Sequence, residues 1–247
     1  MIRRSEVMSF LLGASVIAIA SFSAHPTAAY TVASQAEQEK TPPPSPHFIA
    51  EKGKFRIVVA GQESGKEEFE ISPSGDGWIA HATAQLSAQG AGATRVTATL
   101  RFKADGSPVH YEWAVEGAKK ASSTVDFSGG TATIELRLEG ARPFTQQFFF
   151  NSPRVVILDN NFFHQYAILA RLYDWTKKGA QSFSVLVPQA MTPGTVTAEA
   201  LPAGAVGGTK FDVLRVSTED LQIDLYLDNL KLVRVSSPSA NAEAIRE

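Results

Sequence analysis

Between Phe55 and Val235 apolar side chains return at every second residue in one short run after another, and the pattern is broken once, by NSPRVVILDNNFFHQYAILARLYDW from Asn151 to Trp175. Period two marks a strand with one face in a core and the other in water, so most of this chain is constrained to build a sheet. The exception reads as a helix. Val155 to Leu158 is a compact, mostly β-branched run, after which Asp159, Asn160 and Asn161 offer three consecutive N-caps whose side-chain oxygens could accept from the free amides of a helix start. A helix over Asn161 to Thr176 sets Phe162, Tyr166, Leu169 and Tyr173 in one narrow stripe, flanked by Phe163 and Ala170 on one side and Leu172 on the other. Lys177-Lys178-Gly179 then supplies cations for the C-terminal dipole and a left-handed terminator. A helix so widely apolar needs a cover, and a curved sheet is the cover this chain can make.

The strands follow from the alternation. Phe55, Ile57 and Val59 turn through Gly61 to Gly65 (GQESG) into Glu67 to Ile71, and Trp78, Ala80, Ala82, Ala84 and Leu86 share one face. Val96, Ala98, Leu100 and Phe102 alternate with polar residues before Asp105-Gly106 turns into Val109, Tyr111, Trp113 and Val115. Ser122 to Phe127 and Thr131 to Leu138 meet at Gly129-Gly130, and Phe144 to Phe150 completes the first half. Beyond the helix, strands are expected at Phe183 to Val187, Gly194 to Leu201, Lys210 to Ser217, Leu221 to Asp228 and Lys231 to Val235, with a turn at Asp228-Asn229. About a dozen strands with hairpin-length connections and one buried helix predict a mainly β fold: a single curved antiparallel sheet or incomplete barrel whose concave face the helix plugs. A sandwich would leave the helix no place to pack.

The ends of the chain differ in composition from its body. Arg3 and Arg4 precede an apolar stretch from Phe10 to Phe22, and Thr27-Ala28-Ala29 places small residues where a signal peptidase cuts, so residues 1–29 read as a secretory signal cleaved after Ala29. The apolar run falls short of the roughly 20 residues that span a bilayer. Residues 30–46, ending in TPPPSP, read as a Pro-rich linker, residues 47–236 as the folded domain, and residues 237–247, small and polar, as a flexible tail. There is no cysteine, so the fold stands without disulfides or thiolate metal sites even though an oxidising compartment would permit them. A periplasmic or secreted location is expected. A formal net charge of −2 with well-mixed signs, and no basic stripe interleaved with aromatics, gives no reason to expect nucleic acid.

The order GKFRIVVAGQESGKEEFEI, a hairpin DGSPVHYEW, a break at FFFNSPRVVILDNN, the helix, a strand leading to Pro188 and a last hairpin LYLDNLKLVRV resembles bacterial exported domains of unknown function built on a curved antiparallel sheet. These are similar in architecture to the lipoprotein-carrier and lipoprotein-receptor half-barrels of the outer-membrane localisation pathway. The resemblance runs from Gly53 to Val235 and implies an apolar concavity closed by a helix, with no known reaction. The lipid-bearing cysteine of a receptor lipoprotein is absent.

No catalytic set emerges from the residues. His164 near the helix start could act as a general base oriented by Asp159 or Asp174, but the polar edge of an apolar helix also has to hold some hydrogen-bonding residues, and Arg171 with Asp174 reads as an ordinary ion pair. Asp159-Asn160-Asn161 could offer oxygen ligands to a cation; capping explains them better. GQESG has its serine fourth and joins two strands, so it is a turn and no nucleophile elbow. Gly90-Ala91-Gly92 lacks the third glycine and following helix of a dinucleotide site and is assigned to a loop. The histidines show no metal-ligand spacing, with a meeting of His81 and His110 on adjacent strands as the one arrangement to check. No cofactor and no metal are expected. Aromatic residues directed by period toward one interior include Phe144, and from this set and the helix the candidate ligand-binding residues are Trp78, Tyr111, Trp113, Phe148, Phe150, Phe162, Tyr166, Leu169 and Tyr173. The expectation is an exported, non-enzymatic binding protein that holds a hydrophobic small molecule such as an acyl chain, a role compatible with peripheral membrane association. The alternatives are an envelope assembly module with a filled core, whose partner is an envelope protein, and a hydrolase using His164.

Overall fold

The computed structural model describes residues 47–87, 93–117 and 120–247. The expected signal segment 1–29, the linker 30–46 up to Pro46 and the Gly90-Ala91-Gly92 loop lie outside the described residues.

Fifteen strands among the described residues join one unclosed sheet. The first eight form a meander of consecutive hairpins: β1 (Glu51–Val59), β2 (Gln62–Ser74), β3 (Gly77–Leu86), β4 (Thr94–Lys103), β5 (Pro108–Glu116), β6 (Ala121–Ser128), β7 (Thr131–Leu138) and β8 (Phe144–Phe149). Short β9 (Val156–Ile157), helix α1 (His164–Leu172) and β10 (Gln181–Val187) follow as a crossover, with β9 parallel to β10. A second meander closes the chain: β11 (Thr192–Val206), β12 (Thr209–Ser217), β13 (Gln222–Asp228), β14 (Lys231–Ser237) and β15 (Ala242–Arg246). Among the described residues β8 and β9 are the two free edges.

Turn chemistry fixes the register of several of these hairpins. Gly129-Gly130 and Gly207-Gly208 both have positive φ at the two central positions, the geometry whose twist matches that of the strands it joins. Asn229-Leu230 adopts the same geometry at φ +49 and +65, so the β13–β14 turn lies one residue beyond the expected Asp228-Asn229, with a leucine in a backbone region that side chains disfavour. The alternation otherwise reads as expected: Phe69 and Ile71, Ala80 to Ala84, Val96 to Phe102, Tyr111 and Trp113, Ile134, and Leu221 to Leu227 send their inward members into one continuous buried cluster with the helix. A single cluster drawn from both meanders requires the sheet to bend around α1.

The C-terminal segment departs from expectation. Residues 237–247 are no flexible tail; β15 pairs with β14 on one side and β1 on the other, with Phe55 opposite Arg246 and Val59 opposite Ala242. Ala242 and Ala244 are buried. This strand is the seam between the two meanders.

The helix also differs. It begins at His164 and ends at Leu172, shorter than residues 161–176, because Asn161 sits at φ +67 and Tyr173 is already extended. Its residues from His164 to Arg171 are all buried, polar ones included. No side chain of the Asp159-Asn160-Asn161 run caps it. Gly179 does not terminate it either; the positive φ in that loop belongs to Lys178.

Candidate functional site

A helix buried on every side needs partners for its polar groups, and the sheet provides them at places where the alternation carries an inward charge. Glu67 lies on β2 in phase with Phe69 and Ile71, and is fully buried. Its carboxylate accepts from the Phe163 N–H at 2.8 Å and the His164 N–H at 3.3 Å, which are free amides of the helix start. It also meets His164 Nδ1 at 2.5 Å. The helix is therefore capped from across the sheet. His164 is held further by the Phe69 ring, stacked at 5.7 Å, and its side chain is 1% exposed. His164 is oriented by Glu67, not by Asp159 or Asp174.

Asp159 closes a second network just before the helix. It accepts from Tyr111 Oη at 2.7 Å, from the Gln189 N–H at 2.9 Å and from the Asn160 N–H at 3.0 Å, while its own N–H donates to Gln165 Oε1. Burial pushes the Asp159 carboxyl up to about 6 against these stabilising donors. Burial beside that carboxylate likewise holds the Tyr111 phenol well above its ordinary range, and burial raises the Tyr166 phenol.

The third network contains Glu51, Arg171 and Arg246. Glu51 and Arg246 point inward from β1 and β15, and the Glu51 carboxylate accepts from both guanidinium groups. Arg246 is well provided for: it also donates to the Lys52 and Leu232 carbonyls and lies near the Phe55 and Phe69 rings. Gly53 makes room for it, since a Cβ there would come within 2.6 Å of the Arg246 guanidinium and 2.8 Å of the Phe69 ring. Arg171, by contrast, leaves Nε and Nη1 buried without a hydrogen-bond partner. The expected Arg171–Asp174 ion pair does not form; Asp174 receives the Thr176 hydroxyl at 2.6 Å and lies 3.1 Å from Lys177 Nζ. The Thr176 hydroxyl leads in holding the Asp174 carboxyl below the ordinary carboxylate range.

At the C-terminal end of α1 a cleft of about 530 Å³ opens between the helix end, β10 and the β13–β14 turn. Its apolar wall comes from Leu172, Tyr173, Trp175, Phe183 and Leu230; Arg154, Arg171, Lys177 and Asp174 bring charge to it. The wall is firmly built. Trp175 Nε1 donates to the Ala170 carbonyl of the helix end, Gln181 exchanges two 2.9 Å bonds with the Asp174 backbone, and Tyr173 Oη donates to the Gly179 carbonyl while accepting from the Ala200 N–H. A shallower depression of about 400 Å³ lies on the outer face of β1 to β4, lined by Glu68, Glu70, His81 and Thr99.

Of the nine candidate residues, Tyr111, Trp113, Phe148, Phe162, Tyr166 and Leu169 are buried in the common core, where Trp113 Nε1 has no hydrogen-bond partner, and Trp78 and Phe150 pack at its margin. Tyr173 is the member that also lines the cleft. Phe144, directed inward by period, is 53% exposed at the end of edge strand β8. His81 and His110 do not meet, because β4 separates their strands; His81 pairs with Thr99 and His110 with Asp126. Among the described residues no three potential metal ligands gather at one place. Sequence reasoning missed Glu51, Glu67 and Arg246 as inward residues, and the signal was phase: each shares the parity of buried neighbours on its strand. On the cleft wall, Phe183 shares the parity of buried Val185 and Val187, whereas Leu230, in a turn, carried no such mark.

No protein-family model matches the sequence, and neither does any curated protein. Among solved structures, the chain is similar to a β-barrel-like protein of the domain of unknown function DUF1849 from Brucella abortus, with a TM-score of 0.55 at 9% identity over 82% of this chain and 97% of that one. A DUF1089 family protein from Pseudomonas aeruginosa aligns with a TM-score of 0.46 at 11% identity, over 70% of this chain and 90% of that one. At these identities the first likeness speaks for the fold alone: a β-barrel-like domain, here an unclosed sheet bent around one helix.

Proposed function

We propose that this protein is a non-enzymatic binding protein that takes a small, largely apolar molecule into the cleft at the C-terminal end of α1. The observation that carries the reading is the cleft itself: about 530 Å³ falls within the roughly 300–1,000 Å³ of small-molecule sites, and its wall is aromatic and aliphatic. The space along the rest of the helix is taken by core side chains, so the ligand sits beside the plug. His164 has no route to a substrate in this arrangement, since its ring lies under Phe69 and against Glu67. The reading includes export to the bacterial envelope, supported by Arg3, Arg4, the apolar stretch to Phe22 and the small residues before Tyr30. It is also in keeping with the carrier-like resemblance, in which a half-barrel and its helix hold acyl chains. The test is native mass spectrometry of the protein purified from its own cells, followed by extraction and identification of the bound molecule. A bound apolar molecule lost in Phe183→Asp supports the cleft; ligand-free protein that also fails to bind an acyl-chain fluorophore removes it.

A second reading has an observation of its own. Edge strand β8 presents Phe149, 77% exposed, at its end, and among the described residues no strand pairs with its outer edge. An envelope partner adding a strand there would pair with that edge and pack a side chain against Phe149. Crosslinking in cells with a photoreactive residue at Phe149 tests it, and a yield no higher than at an exposed polar control position rejects it.

A further inference from the structure

Arg171, Glu51 and Arg246 form a buried group of two positive charges and one negative. Both guanidinium groups share the one Glu51 carboxylate, and Arg246 adds two carbonyl acceptors, so the unmet donors are those of Arg171, whose side chain is 1% exposed and whose Nε and Nη1 have no partner. Leaving a guanidinium donor buried and unsatisfied is costly, and such a group is expected to have an acceptor in the working protein. Arg171 is also one of the residues lining the 530 Å³ cleft. Around it Arg154 and Lys177 add two positive charges, against the single carboxylate of Asp174, whose Oδ1 accepts from Thr176 and whose Oδ2 accepts no hydrogen bond but lies 3.1 Å from Lys177 Nζ.

We infer that the cleft recognises an amphiphile with an oxyanion head, the head accepting from Arg171 and the chain lying along Leu172, Trp175, Phe183 and Leu230. This rests on the apolar-ligand reading above and names the class of ligand. The chemistry required is an oxygen acceptor bearing negative charge at the end of an apolar chain, which a carboxylate or a phosphate monoester supplies equally well. Leu230 bears on the same point. It occupies a turn position at φ +65 where asparagine or glycine would cost less, and in that place it puts an aliphatic side chain on the cleft wall.

The full chain is titrated calorimetrically, below micelle-forming concentrations, with dodecanoate, dodecyl phosphate, 1-dodecanol, and acetate or inorganic phosphate as chainless heads. The expected result is that at least one of the charged amphiphiles binds roughly tenfold or more tighter than dodecanol, and that the chainless anions bind far more weakly. Whichever head binds tighter identifies the source. Arg171→Gln should reduce the preference over dodecanol to near unity, with circular dichroism reporting whether the variant folds. Should it not fold, the wild-type comparison still decides. Equal binding of dodecanol and both charged amphiphiles would overturn the oxyanion head and leave the apolar cleft standing. Binding of none of the three would remove both readings, and chainless anions binding as tightly as the amphiphiles would overturn the role of the chain.

Discussion

Asp159 is a carboxyl group that burial and three donors pull in opposite directions, and burial wins. Its value of about 6 in the folded protein lies above the 3.8 of an ordinary aspartate, so between those pH values the folded chain holds a proton that the unfolded chain has released. The stability this gives is complete below pH 3.8 and is lost as the pH rises through about 6. A shift of this size corresponds to roughly 3 kcal/mol. Denaturant titrations at a series of pH values should show that Asp159→Asn removes this decline relative to wild type; parallel profiles would contradict the assignment. Glu67 presents a different case, since it serves two helix amides and an imidazole at once. Glu67→Ala should cost about 3 kcal/mol or more, because each buried donor left unpaired costs about 1–3 kcal/mol. Glu67→Gln should cost less, as its carbonyl oxygen can still accept from the helix amides. The opposite order in urea unfolding would mean that charge, and not hydrogen bonding, is what the helix start needs. Glu67 was hard to read in the sequence for one reason: an inward carboxylate on a strand looks like an interruption of the alternation until its partner, far along the chain, is known.

At the scale of elements, the helix shows both what alternation reveals and what it hides. Its existence was legible, because period 3.6 stands out in a period-two chain, and of the expected stripe Tyr166 and Leu169 lie on it while Phe162 and Tyr173 are buried just outside its two ends. Its ends were not. The start is set by Glu67 from another strand, and the end by Tyr173 turning to extended backbone so that its hydroxyl can bridge Gly179 and Ala200. Local capping rules see neither. Strand β15 was hidden differently: its inward residues Ala242 and Ala244 are small, and Ile245, the most apolar residue there, lies out of phase with them. An apolar scale therefore reads the segment as tail. Ala244→Asp, which puts a charge at a buried seam position, should abolish the cooperative thermal transition, whereas Glu243→Gln, on the opposite face, should shift Tm by no more than a few degrees.

The whole sheet was legible in its class and in the order of most of its strands, since each hairpin is announced by alternation and a turn. How its halves join was not, because nothing local marks a pairing between the strands nearest the two ends of the domain. That seam also has a kinetic consequence. Within each meander the neighbouring strands are consecutive in the chain, so contacts there form after short loops close, whereas Phe55 and Arg246 must find each other across 191 residues (246 − 55). The meanders should therefore organise first and the seam zip last. A mild seam change such as Ala244→Gly would then leave the refolding rate nearly unaltered and accelerate unfolding, which stopped-flow chevrons can separate. If refolding slowed in proportion to the lost stability, the seam would already be formed at the barrier. On the order drawn here the last event of folding also aligns Arg246 with Glu51, so the electrostatic surroundings of Arg171 are completed only as the molecule becomes native.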